Sequence, residues 1–171
     1  MIQSLLNHKG TKVTLFSLLF LSVTLIANTD TEDIKDIKET ILTYNQTIIK
    51  SAKKKDFIKV FKNMDFLKAV ATEKISKKNY FWIAAWQENN LYMNASLDKI
   101  EFKKIVVNKN SAQAYTNEKW SYRYLNYLPN GKTKEAYPLT KIFYQVKYSL
   151  LKDNNRWKIS GIDILSQKEK K

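Results

Sequence analysis

Apolar and polar positions change their period along this chain, and each change marks an element. Val13 to Ala27 runs VTLFSLLFLSVTLIA, fifteen residues without a charge. From Asp30 to Lys55, Ile34, Ile37, Ile41, Leu42, Ile48, Ile49 and Ala52 recur at three-and-four spacing, which predicts one long amphipathic helix. Its first turns hold Glu32, Asp33, Asp36 and Glu39, and its last hold Lys50, Lys53, Lys54 and Lys55, the polarity that complements a helix dipole. The lysine run therefore reads first as a helix terminus and only second as an anion-binding patch. Asp56 can cap a short second helix with Phe57, Val60, Phe61 and Met64 on its face. A third helical stretch carries Phe66, Leu67 and Val70 toward Thr72. Ile75, Trp82, Ile83 and Trp86 then keep helical spacing until Glu88-Asn89-Asn90. Three helices are expected in the N-terminal half.

Beyond Asn94 the period falls to two. Ile100 and Phe102, then Ile105 and Val107, bracket Lys103-Lys104 in a strand that ends at Asn108-Lys109-Asn110-Ser111. Ala112 to Asn126 is a second strand, followed by the turn residues Leu128-Pro129-Asn130-Gly131. Lys141 to Lys152 is a third, with Ile142, Tyr144, Val146, Tyr148 and Leu150 on one face. Asp153-Asn154-Asn155 turns the chain into Trp157 to Leu165, the last strand. There Ile162 and Ile164 are out of phase with Trp157 and Ile159, so a bulge at Ser160-Gly161 is expected to restore one apolar face and turn Asp163 outward. Sequential, turn-linked strands predict an antiparallel sheet. Helices first and strands second make an α+β fold, with the N-terminal helices packed on a curved antiparallel sheet. The expected organisation is an N-terminal segment over 1–27, one domain over 28–166 and a frayed basic tail over 167–171.

The N-terminal segment has Lys9 and Lys12, no acid, and the uncharged run after them, the order of an export signal. The run is shorter than the ~20 residues of a spanning helix and contains Thr14, Ser17, Ser22 and Thr24. Neither Ala27 nor Thr29 ends a clean small-x-small site, so a cleaved signal and an uncleaved anchor are both expected forms of export. The protein would then be secreted or held at the outer face of the cytoplasmic membrane.

Composition narrows the chemistry. The chain has 171 residues, no Cys and one His, and that His8 lies in the N-terminal segment. Ser-His-Asp and Cys-His catalysis, disulfides and the usual zinc sites are therefore not available to the domain, and neither a metal nor a cofactor is expected. Lys and Arg number 30 against 16 Asp and Glu. Without residues 1–27 the balance is 28 to 16, a net of +12. Lysine makes up 28 of the 30 basic residues, whereas phosphate forks and base stacking favour Arg, so the interleaved tyrosines are not read as a nucleic-acid surface. An exported basic domain points to anionic envelope surfaces instead. Asn45-Gln46-Thr47 and Asn94-Ala95-Ser96 fit the glycosylation pattern.

The helix closing on Lys54-Lys55-Asp56, the run Ser111-Ala112-Gln113-Ala114-Tyr115-Thr116-Asn117-Glu118-Lys119-Trp120-Ser121-Tyr122 and the closing Asn155-Arg156-Trp157-Lys158-Ile159 together resemble the NTF2-like (cystatin-like, SnoaL-like) superfamily. The likeness covers about Asp30 to Leu165 and is nearest to the extracytoplasmic domains of bacteria, including those attached to cell-wall and division proteins. It implies a helical half folded over a strongly bent antiparallel sheet to make a cone. Superfamily enzymes often place a His or Asp in that cone, and this chain offers no His there.

Within the second strand Thr116, Glu118, Trp120, Tyr122 and Tyr124 share one side, and Tyr115, Asn117, Lys119, Ser121 and Arg123 the other. Glu118 is thus a carboxylate on an aromatic face, suited to proton transfer or to holding a cationic ligand. The competing expectation is a Glu at the wet end of the strand, paired with a neighbouring Lys. Ketosteroid-isomerase-like enzymes of the resembled superfamily combine a carboxylate base with Tyr donors, which Glu118 with Tyr122, Tyr144 or Tyr148 could imitate. Trp82 and Trp86 share a helix face that either lines a cavity or packs on the sheet. The candidate pocket residues are Trp82, Trp86, Trp120, Tyr122, Tyr144 and Tyr148, with Glu118 the candidate catalytic group.

The expected function is a non-catalytic extracytoplasmic binding domain for a small apolar ligand in the cone or an envelope protein on the sheet. Two alternatives stand beside it. One is an isomerase, dehydratase or cyclase using Glu118, and the other is electrostatic attachment to anionic envelope polymer or lipid. Monomer and dimer are both open.

Overall fold

The computed structural model describes the backbone of residues 11–54 and 64–170 and the side chains of 31–54 and 64–169. The expected helix after Asp56 and its capping role fall outside the described residues. The order of elements is α1 (Thr11–Lys53), α2 (Asp65–Lys68), α3 (Glu73–Glu88), then β1 (Tyr92–Asn108), β2 (Ser111–Tyr127), β3 (Thr133–Asp153) and β4 (Arg156–Lys170). The four strands form one antiparallel sheet in the order β1-β2-β3-β4. The α+β class and the antiparallel meander are as the periodicity predicts.

Helix α1 runs without a break through Asp30, so Glu32, Asp33, Asp36 and Glu39 sit in its middle and not in its first turns. Their dipole role expected from the sequence is thereby corrected, while Lys50 and Lys53 do lie in the last turn. Asp33 has different work. Its Oδ1 accepts hydrogen bonds from Lys152 Nζ at 2.6 Å and from Trp157 Nε1 at 3.0 Å, tying α1 to the β3–β4 hairpin. No helix among the described residues is long and apolar enough to cross a membrane.

Ile37, Ile41, Tyr44, Ile48 and Ala52 line the buried side of α1. Against them stand the inward residues of the sheet, among them Ala112, Ala114, Val146, Leu150, Trp157 and Ile159. Leu67, Ile75 and Ile83 close the core from α2 and α3, and Ala71 from the segment between them. Burying an apolar side chain of this size contributes about 1.5–3 kcal/mol, so this layer contact dominates the fold's stabilisation. The segment between α2 and α3 also guards the sheet edge. Ile159 N–H donates to the Val70 carbonyl at 2.9 Å and Thr72 N–H to the Ile159 carbonyl at 2.8 Å, which pairs the start of β4 on its outer side.

Phase changes in the strands are resolved by bulges. The β1–β2 register shifts between Phe102 and Lys104, which brings Ile105 and Val107 onto the side of Ile100 and Phe102. In the β3–β4 pair Ser149 faces Gly161 and Leu150 faces Ile159, so the extra residue is Ser160, where the sequence placed it. Asp163 is exposed and pairs with Lys147 at 2.7 Å. The turns use left-handed residues: Asn154 and Asn155 have φ of 48° and 59°, and Gly131 has φ of 79°. Two strands outrun expectation. β3 begins at Thr133, before Pro138, and β4 continues to Lys170 opposite Lys141, where a frayed tail was expected. Partner residues on β3 reach that far, which is the reason the tail is paired.

Candidate ligand-binding site

A cavity of about 530 Å³ lies between the helices and the inner face of the sheet. Its wall comes from α1 (Tyr44, Asn45), α3 (Ile75, Lys78, Trp82) and the inward residues of β2, β3 and β4. The two-residue period of β2 places Glu118, Trp120, Tyr122 and Tyr124 in this wall, and the neighbouring strand adds Ile142, Tyr144, Val146 and Tyr148.

Glu118 is 3% exposed. Thr116 Oγ1 donates to its Oε1 at 2.8 Å, Tyr148 OH donates to the same oxygen at 2.8 Å, and Trp120 Nε1 donates to its Oε2 at 2.7 Å. Asn45 Nδ2 in turn donates to the Tyr148 hydroxyl oxygen at 3.1 Å, so the chain of hydrogen bonds runs from α1 through β3 to β2. Among the described residues no Lys or Arg makes an ion pair with Glu118. The expectation of a wet, lysine-paired Glu118 is overturned: its neighbours in the strand alternate outward, and the side chain itself turns toward the helices.

Burial raises the Tyr148 phenol well above its ordinary range, and the negative charge of Glu118 adds to the effect. Tyr122 and Tyr144 are raised for the same first reason, burial, with Glu118 again contributing. Tyr44, whose hydroxyl accepts from Asn79 Nδ2 at 2.7 Å, is pushed up to about 12 by burial. All four therefore stay protonated at neutral pH and do not act as bases, and Tyr148 donates to Glu118.

Of the candidate pocket residues, Trp82, Trp120, Tyr122, Tyr144 and Tyr148 stand together in the wall of this cavity. Trp86 is not among the lining residues. It packs between Trp82, at a ring-centroid distance of 4.0 Å, and Tyr124, at 5.3 Å. Asn45 was singled out in the sequence only as a glycosylation acceptor, yet it is 4% exposed and bonded to Tyr148. The signal for its inward role is its place between Ile41 and Ile48 on the apolar stripe of α1, where a polar side chain needs a buried partner. Among the described residues no group of three or more acidic, His or Cys side chains is placed to hold a metal ion.

The opposite face of the sheet is different. A depression of about 350 Å³ is lined there by Lys99, Lys119 and Lys168 with Glu101, Asn117, Phe143, Gln145 and Ser166. Lys119 Nζ lies 6.0 Å from the Phe143 ring.

An α+β domain with a carboxylate-bearing aromatic cavity between its layers is the class these features define. The solved structure of the intermembrane-space region of the chloroplast protein ARC6 is similar, with a TM-score of 0.60 over 77% of this chain and 95% of that one, at 14% identity. That likeness concerns the fold. No protein-family model matches the chain, and no curated protein does.

Proposed function

We propose that this chain is a binding domain of NTF2-like type that takes a small, largely apolar ligand in the cavity between its helices and its sheet. The observation that carries the proposal is the cavity itself: about 530 Å³, walled mainly by aromatic and aliphatic side chains, with Trp120 and Tyr148 of that wall hydrogen-bonded to Glu118. Helices that precede a four-stranded antiparallel meander, and a cavity between the two, support the NTF2-like reading, whose cone would be this cavity. The basic, acid-free start of the chain and the uncharged run after it support export, either as a cleaved signal or as a retained anchor.

A second reading, acid/base catalysis by Glu118, is favoured by one observation, the placement of that carboxylate inside the cavity beside Tyr144 and Tyr148. Binding is the stronger reading because three neutral protein donors already engage Glu118, an arrangement that fixes it as a hydrogen-bond acceptor. Electrostatic attachment to an anionic envelope surface is supported by the lysines of the outer face, and such attachment would weaken as salt rises.

The binding proposal is tested by titrating the full chain with the neutral dye N-phenylnaphthylamine. Saturable binding to one site is expected, and Ile142→Trp, which fills the cavity from β3, is expected to abolish it while circular dichroism stays unchanged. Dye binding that survives the filling variant would place the site elsewhere.

A further inference from the structure

Resting on the reading of the cavity as a ligand site, we propose that its ligand is a small organic cation, an alkyl- or aryl-ammonium group on an apolar body, with Glu118 as counter-ion. Three features of the cavity converge on that chemistry.

The first is a buried carboxylate that pairs with no cation among the described residues. Glu118 is almost fully buried, and its three partners Thr116, Trp120 and Tyr148 are neutral. A buried ion without an opposite charge is disfavoured, so a cation entering the cavity would be stabilised there.

The second is acceptor capacity on Oε2. A carboxylate offers about four lone-pair sites. Two partners use Oε1 and one uses Oε2, so one site on Oε2 remains for a ligand N–H.

The third is the set of aromatic rings around that carboxylate. Trp120 and Tyr122 stack at 5.6 Å with planes 8° apart, and Tyr144 stands directly across from Glu118 in the β2–β3 register. Electron-rich faces of this kind attract an ammonium group, with Trp the best of them. Lys78 also lines the cavity, but it is exposed, so solvent screens its charge where it does not screen that of Glu118.

The test compares three probes of one shape class on the full chain by isothermal titration calorimetry: benzylammonium, benzyl alcohol and phenylacetate. The cation is expected to bind about tenfold or more tightly than either of the others, as counter-ion and ring contacts together imply. Glu118→Gln is expected to bring the cation to within about twofold of benzyl alcohol, since it keeps the shape and removes the charge. Should that variant fail to fold, Tyr122→Leu serves instead, and it should weaken the ammonium probe more than the alcohol. Equal binding of cation and alcohol, or a preference for phenylacetate, would overturn the cation assignment and leave the binding cavity intact. Failure of all three probes together with N-phenylnaphthylamine would overturn both.

Discussion

Tyr148 on β3 donates its hydroxyl hydrogen to Glu118 on β2 at 2.8 Å, and through Asn45 the same hydroxyl is held by α1. The pair therefore belongs both to the site and to the contact between helix and sheet. Tyr148→Phe removes one of three donors from a buried carboxylate and leaves Asn45 Nδ2 without its acceptor. A loss of about 1–3 kcal/mol in urea unfolding is expected. Tyr137→Phe, at an exposed position, should stay within about 0.5 kcal/mol. Equal stability of both variants would mean that the hydrogen bond is not formed in solution.

Asp33 gives the fold an acid-sensitive tie. Burial works to raise its carboxyl, but the hydrogen bonds from Lys152 and Trp157 and the Lys152 charge prevail and hold it below its ordinary value. A carboxyl lowered on folding stabilises the protein above its unfolded pKa, and that contribution is lost as pH falls through the folded one. Stability from this tie should thus be constant from neutral pH to about 5 and decline below about pH 4. Asp33→Asn should lower stability at pH 7 by about 2 kcal/mol and flatten the acid limb of the pH–stability curve. An unchanged acid limb in the variant would contradict this.

The two described glycines differ in what they tolerate. Gly131 sits at φ +79°, a region that L side chains rarely adopt, so Gly131→Ala should destabilise by about 1 kcal/mol although the space around it is open. At Gly161 an added Cβ would meet Ser149 Cβ at 3.4 Å, an ordinary contact, and Gly161→Ala should remain within about 0.5 kcal/mol of the parent. Thermal unfolding of the two variants distinguishes them, and the reverse ranking would be inconsistent with these backbone conformations.

Core and cavity should separate by readout. Ile41, fully buried on α1, should lose about 2–5 kcal/mol as Ile41→Ala. Ile164 lines the cavity at 59% exposure, so Ile164→Ala should leave the melting temperature within about 2 °C while weakening dye binding. A large stability loss at Ile164 would assign it to the core.

Much of this arrangement is legible in the sequence because strand alternation is a strict code. Thr116, Glu118, Trp120, Tyr122 and Tyr124 had to share one side of β2, and the out-of-phase isoleucines of β4 required the bulge at Ser160. What alternation does not carry is depth. Whether Glu118 stood at a wet strand end or beneath the helices depended on where α1 crosses the sheet, and that is fixed by contacts remote in sequence, such as Asn45 with Tyr148 and Asp33 with Lys152. Asp33 was misread for the same reason, because its partners lie more than a hundred residues away. Trp86 was assigned to the pocket by its spacing from Trp82, yet packing against Tyr124 takes it out of the lining.

The central claim is that the space between α3 and the sheet is a ligand site. The chain's four tryptophans, Trp82, Trp86, Trp120 and Trp157, give four indole N–H signals in a proton–nitrogen correlation spectrum. Trp82 and Trp120 line the cavity, whereas the Trp157 indole is bonded to Asp33. Titration with N-phenylnaphthylamine should shift the Trp82 and Trp120 signals saturably at one equivalent and leave Trp157 in place. Stationary Trp82 and Trp120 signals at saturating dye, or a Trp157 shift as large as theirs, would contradict the account.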